Sequence, residues 1–144
     1  MEIRSATLAD TSLLNRWTRQ LQEEQGRSPS LDELLAILQR QTLLHDSDCR
    51  LYIFRDAEGD LGYALVREEG EELVLQPFFI APERRRRGHG RTAFNLLRKQ
   101  LPRNRKLTVT VMSRNTGGMC FWKRIGFADY AVNLQIQPTL PCAA

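Results

Sequence analysis

At 144 residues, with 42% hydrophobic and 26% charged side chains, the chain has the length of one domain and enough apolar material for a core, which excludes a disordered chain. The formal net charge of +4 conceals an uneven split. Residues 1–83 carry 8 basic and 16 acidic side chains, a net of −8, and residues 84–144 carry 13 and one, a net of +12. The basic half should attract a polyanion and the acidic half a cation, unless both are solvated faces that aid solubility. No run approaches the roughly 20 apolar residues of a membrane span. The opening MEIRSATLAD lacks the apolar centre of a signal peptide, so a cytoplasmic protein is expected. Cys49, Cys120 and Cys142 are odd in number and widely spaced, which argues against a disulfide framework. With His45 and His89 as the only histidines, no closed zinc site is expected; His45 lies near Asp46 and Asp48, and no motif supports a metal there.

In chain order, Glu2 to Ala6 reads as a short strand. Thr7 and Asp10 are candidate N-caps of a helix over about 10–25, on the helical spacing of Leu13, Leu14, Trp17 and Leu21. Residues 26–29 (GRSP) break it. Ser30-Leu31-Asp32-Glu33 has the capping-box form and opens a second helix with Leu31, Leu34, Leu35 and Leu38 on its apolar stripe. Residues 50–56, 61–67 and 72–80 read as three strands joined by turns at 57–60 and 68–71. Pro77 inside the third removes a ladder donor and marks a bulge, an edge or an interruption of pairing. A helix over about 89–101, a strand over 106–112, a helix over 115–125 ended by Gly126, and a final strand over 127–137 complete the reading. The order β-α-α-β-β-β-α-β-α-β, without repeats or linkers, predicts one mixed α/β or α+β domain over residues 1–144.

The informative segment runs from Phe78 to Arg91, FFIAPERRRRGHGR. A strand ends, and a loop with Gly88 and Gly90 turns into a helix. The first turn of that helix offers free N–H groups and the positive end of the macrodipole. That combination favours a phosphate or pyrophosphate, with the surrounding arginines adding bidentate contacts. A P-loop is excluded, because no Gly-Lys-Ser/Thr follows. The dinucleotide fingerprint is excluded too, because Ala93 stands where the third glycine belongs.

Arg85-Arg86-Arg87-Gly88-His89-Gly90 after Ile80-Ala81-Pro82 resembles the [Q/R]-x-x-G-x-[G/A] signature of the GNAT superfamily of N-acetyltransferases. Residues 115–127 (NTGGMCFWKRIGF) are similar to that family's later N-x-x-[A/G]-x-x-[F/L]-[Y/W]-x-[K/R]-x-G-F block. The resemblance implies a mainly antiparallel twisted sheet, splayed between its fourth and fifth strands and flanked by about four helices. It implies acetyl-CoA as co-substrate and no metal. The backbone of Phe79 and Ile80 would hold the pantetheine arm as an added strand does. Arg85, Arg86, Arg87, Gly88, His89, Gly90 and Arg91 would hold the phosphates, Asn115 would touch the arm, and Phe121 and Trp122 would line the cleft near the thioester. The implied reaction is direct transfer of an acetyl group to a primary amine, with a fourth-strand N–H polarising the thioester carbonyl.

Trp122 stands where many members carry a Tyr that protonates the departing thiolate, which indole cannot do; Tyr130, Cys120 or no acid at all remain open. The base is equally open between Glu72, Gln76 and water, because Val74 falls where relatives that acetylate histones often carry a carboxylate. His89 either binds phosphate when protonated, packs beneath the helix, or faces solvent. Acidic residues such as Glu23, Glu24, Asp46 and Asp48 could draw a cationic amine; the acceptor itself stays open, with a small amine or amino-acid-like metabolite expected ahead of a protein lysine. A monomer or homodimer without specific nucleic acid and without membrane is expected. The alternatives are a catalytically silent acetyl-CoA sensor and a basic nucleic-acid-binding domain, since ten Lys/Arg fall between Arg84 and Lys106.

Overall fold

Strands β1 (Glu2–Ser5), β2 (Cys49–Asp56), β3 (Gly59–Glu69), β4 (Glu72–Ile80) and β5 (Lys106–Val109) form one sheet in that spatial order. The first three pairings are antiparallel and β4–β5 is parallel. Helices α1 (Thr11–Gln25), α2 (Leu31–Leu43), α3 (His89–Gln100) and α4 (Thr116–Arg124) complete the regular structure. This computed structural model describes residues 1–43 and 48–139; His45, Asp46 and Cys142 lie outside them. The backbone divides into two units, Met1–Thr110 and Val111–Ala144.

In the first unit both faces of the sheet are covered. Leu51, Ile53, Tyr63, Leu65 and Phe79 share a buried cluster with Leu14, Trp17 and Leu21 of α1 and Leu34 and Leu38 of α2. Trp17 stacks on Tyr63 with 5.9 Å between centroids and 7° between planes. The residues in alternate register, Tyr52, Phe54, Ala64 and Val66, are buried on the other face. Helix α3 lies against β1 and buries Ala93, Phe94 and Leu97. Its length follows from the topology, since a parallel β4–β5 pair requires a crossover rather than a hairpin.

The start of α2 follows the sequence reading, whereas Asp10 makes no side-chain cap to α1 and bonds back to Thr7 instead. The Ser30 hydroxyl accepts from the Glu33 N–H at 3.1 Å. Asp10 accepts from the Thr7 N–H at 2.8 Å and from both terminal nitrogens of Arg4, at 2.7 and 2.9 Å. Helix α1 ends at Gly26, in the left-handed region at φ 71°.

Pro77 marks a bulge. Leu75 pairs with Val66 and Phe78 with Ala64, so Gln76 and Pro77 together oppose Leu65. A bulge shifts the side-chain phase by one residue. Strict alternation from Val74 would place Phe78 on the α1/α2 face; instead Phe79 packs there, 6.0 Å from Trp17 and 5.8 Å from Tyr63. The β4–β5 pairing runs only from Glu72 to Leu75. Residues 76–80 continue β4 beyond the end of that ladder, and this is the splay.

In the second unit, α4 is capped by Asn115, whose Oδ1 accepts from the Gly118 N–H at 3.0 Å, and it ends before Gly126 at φ 117°. The expected strand over 127–137 does not form: no residue there is in a strand. Tyr130, Val132, Leu134 and Ile136 alternate as a strand would, yet all are exposed, at 76–98%. Alternation states which side chains would share a face; it does not supply the hydrogen-bonded neighbour a strand needs. The fifth strand is likewise shorter than the 106–112 expected, ending at Val109.

Candidate functional site

The site builds on the end of β4. The Ala81 N–H donates to the Leu61 carbonyl at 2.8 Å, so by strand alternation the main-chain groups of Phe79 also face β3. Those of Phe78 and Ile80 face the side where β5 has ended. Of the two residues expected to offer main-chain bonds to an extended ligand, Ile80 is therefore the one whose groups face away from β3. Gly62, opposite Ile80, permits this geometry: a Cβ there would overlap the Phe79 carbonyl oxygen and lie 3.1 Å from Ile80 Cα.

A short 3-10 turn, Pro82–Arg84, follows, then the loop into α3. Arg86 and Gly88 take positive φ, 63° and 78°. The left-handed conformation is natural for Gly88 and sterically costly for Arg86. The first bond inside α3 runs from the Thr92 N–H to the Gly88 carbonyl at 3.3 Å, and no side chain caps the helix among the described residues. The N–H groups of Gly88, His89, Gly90 and Arg91 are thus left as a cluster of donors at the positive end of the helix dipole. Such an arrangement binds a phosphate or diphosphate.

The arginines divide by partner. Arg84 is buried and paired with Asp56, with Glu58 3.5 Å from its Nε. The Arg84 guanidinium holds the Asp56 carboxyl below the usual carboxylate range. Arg85 donates through Nε to the Ile80 carbonyl at 2.7 Å and through its two terminal nitrogens to both Glu24 oxygens, at 2.5 and 2.8 Å. Arg87 is 3.8 Å from Glu58. Arg86 and Arg91 are exposed. His89 Nε2 sits 4.0 Å from Asp56 Oδ2, which places the ring beside the β2–β3 turn. The sequence reading did not find that Asp56 and Glu58 hold this loop. The acidic turn at 56–60 was visible, but its meeting with the loop depends on β2–β3 register.

The other candidates lie on β4 and in the second unit. Glu72, Val74 and Gln76 are all half-buried on β4. Glu72 and Val74 pair with Glu69 and Arg67 and share the α1/α2 face; Gln76 falls in the bulge. In the second unit, Phe121 and Trp122 meet edge to face at 4.9 Å, and Trp122 meets Phe127 at 5.2 Å. Asn115 caps α4, while Cys120 and Tyr130 are exposed. Burial pushes the Tyr63 hydroxyl well above its ordinary value, so this fully covered phenol stays protonated. Among the described residues no group of three or more His, Cys, Asp or Glu is placed to hold a metal, and no helix is long and apolar enough to cross a membrane.

Comparison with known proteins follows the same lines. Residues 12–127 match the model of the Acetyltransferase (GNAT) family. Among solved structures, the chain is similar to a possible acetyltransferase from Clostridium difficile 630 at 17% identity and TM-score 0.70, covering 96% of this chain and 97% of that one. It is similar to an acetyltransferase from Thermus thermophilus at 21% identity and TM-score 0.68, covering 88% and 86%. A third is AAC(6')-Iy in complex with the bisubstrate analog CoA-S-monomethyl-acetylneamine, at 16% identity and TM-score 0.70, covering 96% and 98%. At these identities the likeness is one of fold. A comparison with curated protein sequences finds no match.

Proposed function

Because the chain belongs to the GNAT acetyltransferase family, we propose that it moves an acetyl group from acetyl-CoA to a primary amine, with a small amine or amino-acid-like metabolite as acceptor. The observation that carries this reading is the continuation of β4 past the end of its β5 ladder at Leu75, leading into the N-terminus of α3, which no side chain caps among the described residues. The free N–H groups of Gly88 to Arg91 suit a diphosphate, with Arg86, Arg87 and Arg91 around them. The outward N–H of Ile80 suits an amide carbonyl of an extended arm, its own carbonyl being engaged by Arg85.

In the reaction the amine nitrogen attacks the thioester carbonyl, the C–N bond forms, and the C–S bond breaks to release the thiolate. An outward N–H of β4 supplies a donor to the carbonyl oxygen as charge develops there. An amine of pKa about 10.4 is neutral in only about one molecule in 2,500 at pH 7, so its proton must leave first. Glu72 is the only carboxylate on β4, and otherwise water takes the proton. The thiol forming on the leaving side has a pKa near 8.5 by analogy with cysteine, so the thiolate departs without a dedicated acid. For the acceptor, the neighbour in complex with the bisubstrate analog CoA-S-monomethyl-acetylneamine supports a small amine. Glu23 and Asp48 remain as acidic groups of the front half to attract it, whereas Glu24 is engaged by Arg85.

Thiol release from acetyl-CoA across a panel of small amines, amino acids and a lysine peptide tests the assignment. Turnover with one or more small amines, faster than with the peptide, is expected. Acetyl-CoA binding with no product across the panel would replace the transferase with a sensor of that ligand.

A further inference from the structure

Arg85 belongs to the phosphate-loop motif, yet its guanidinium is spent inside the protein. Nε donates to the Ile80 carbonyl, and the two terminal nitrogens form a bidentate pair with Glu24. Its plane also lies over the Phe79 ring, 5.4 Å from the centroid. The side chain therefore ties together the last turn of α1, the end of β4 and the start of the loop. A bidentate, charge-assisted pair is the strong form of this contact, and both partners are about one-third exposed, at 37% and 35%. The Ile80 carbonyl, which faces away from β3, already has its donor.

Resting on the acetyl-CoA reading above, we propose that Arg85 is a positioning residue rather than a phosphate ligand, and that Glu24 of α1 is the partner through which it works. The pair braces the loop entrance against α1, so that the N–H groups of Gly88 to Arg91 are set before the diphosphate arrives. Preorganisation of this kind raises affinity by reducing the ordering that binding requires. The opposite role gives the opposite sign. Were Arg85 a phosphate ligand held by Glu24 until needed, removing the Glu24 carboxylate would free a cation and delete a nearby anion, and binding would tighten.

The test is CoA affinity by titration calorimetry for the wild type, Glu24→Gln, Arg85→Gln, Arg85→Lys, Arg91→Gln, and the double variants of Glu24→Gln with Arg85→Gln and with Arg91→Gln. Melting curves check that each is folded. Glu24→Gln is expected to weaken binding about 3- to 10-fold, within the range of coupled side chains. Adding it to Arg85→Gln should cost nothing more, while adding it to Arg91→Gln should multiply the two losses. Arg85→Lys keeps the charge but not the planar fork and should bind as weakly as Arg85→Gln. Tighter or unchanged binding in Glu24→Gln, or rescue by Arg85→Lys, would overturn the brace while leaving the cofactor reading intact. A wild type that does not bind CoA would instead remove that reading, and the brace with it.

Discussion

Asp10 is held below the usual carboxylate range chiefly by its hydrogen bonds from Arg4, with the Thr7 N–H adding to the effect against partial desolvation. The folded chain therefore keeps Asp10 ionised at pH values where the unfolded chain binds a proton. Its contribution is complete above the unfolded value of about 3.9 and is lost as pH falls through the lower folded value. Asp56, lowered by Arg84, acts in the same direction. Asp10→Asn should cost about 1–2 kcal/mol at neutral pH through the lost charge-assisted bonds. Thermal melts of both proteins between about pH 6 and pH 3 should converge as the pH falls; a gap of constant size would contradict the assignment. At this scale the sequence was informative about Gly88 and about the cap residue Ser30, because their roles are local, whereas Asp10, expected as a cap of α1, pairs instead with Arg4 and the Thr7 N–H. The partner of Arg85 was not legible. Glu24 lies 61 residues away, and nothing in the spacing of the motif points to it.

Strand β4 carries the site, and its irregularity was half visible. Pro77 announced an interruption, but only the register shows that Gln76 and Pro77 oppose one residue and exchange Phe78 for Phe79 on the α1/α2 face. Gly62 had no signal at all in the sequence, since a glycine in a strand is explained only by what faces it. Gly62→Ala drives a methyl group into the Phe79 carbonyl, and relief requires β4 to move. The expected loss is about 2–3 kcal/mol of stability, measurable in urea, together with weakened CoA binding in the protein that remains folded. A variant with wild-type midpoint and affinity would show that the β3–β4 contact is not fixed as described. Residues 127–137 show the converse limit. Their alternation was legible and the expectation of a strand was physically sound, but pairing depends on a neighbour that the pattern does not name.

Across the whole chain, the split between acidic and basic halves was plain in the sequence, and its use was not. Within the first unit several basic groups of residues 84–106 are paired with acidic residues of the front half: Arg84 with Asp56, Arg85 with Glu24, Arg87 with Glu58, and Arg105 with Glu68 at 3.2 Å. Part of the apparent polyanion patch is thus engaged internally; Arg86 and Arg91 lie around the N-terminus of α3, whereas Arg98 and Lys99 occupy its last turn. The mixed α/β order could be read from residues, because it rests on the sequence of elements, while the β4–β5 splay was an expectation drawn from the family resemblance. The acceptor site could not, because it depends on side chains brought together only by folding.

The measurement to make first is a thermal-shift titration with acetyl-CoA at about 150 mM salt, with single-stranded DNA in a parallel series and Gly90→Glu as the comparison. A ligand at 100-fold over its Kd adds about 2.7 kcal/mol to the native state, several degrees of Tm for a domain of this size. A saturable rise with acetyl-CoA, much reduced in Gly90→Glu and absent with DNA, is the expected result. No response to acetyl-CoA beside a salt-sensitive rise with DNA would contradict the acetyl-CoA reading and return the basic segment to the centre of the protein's function.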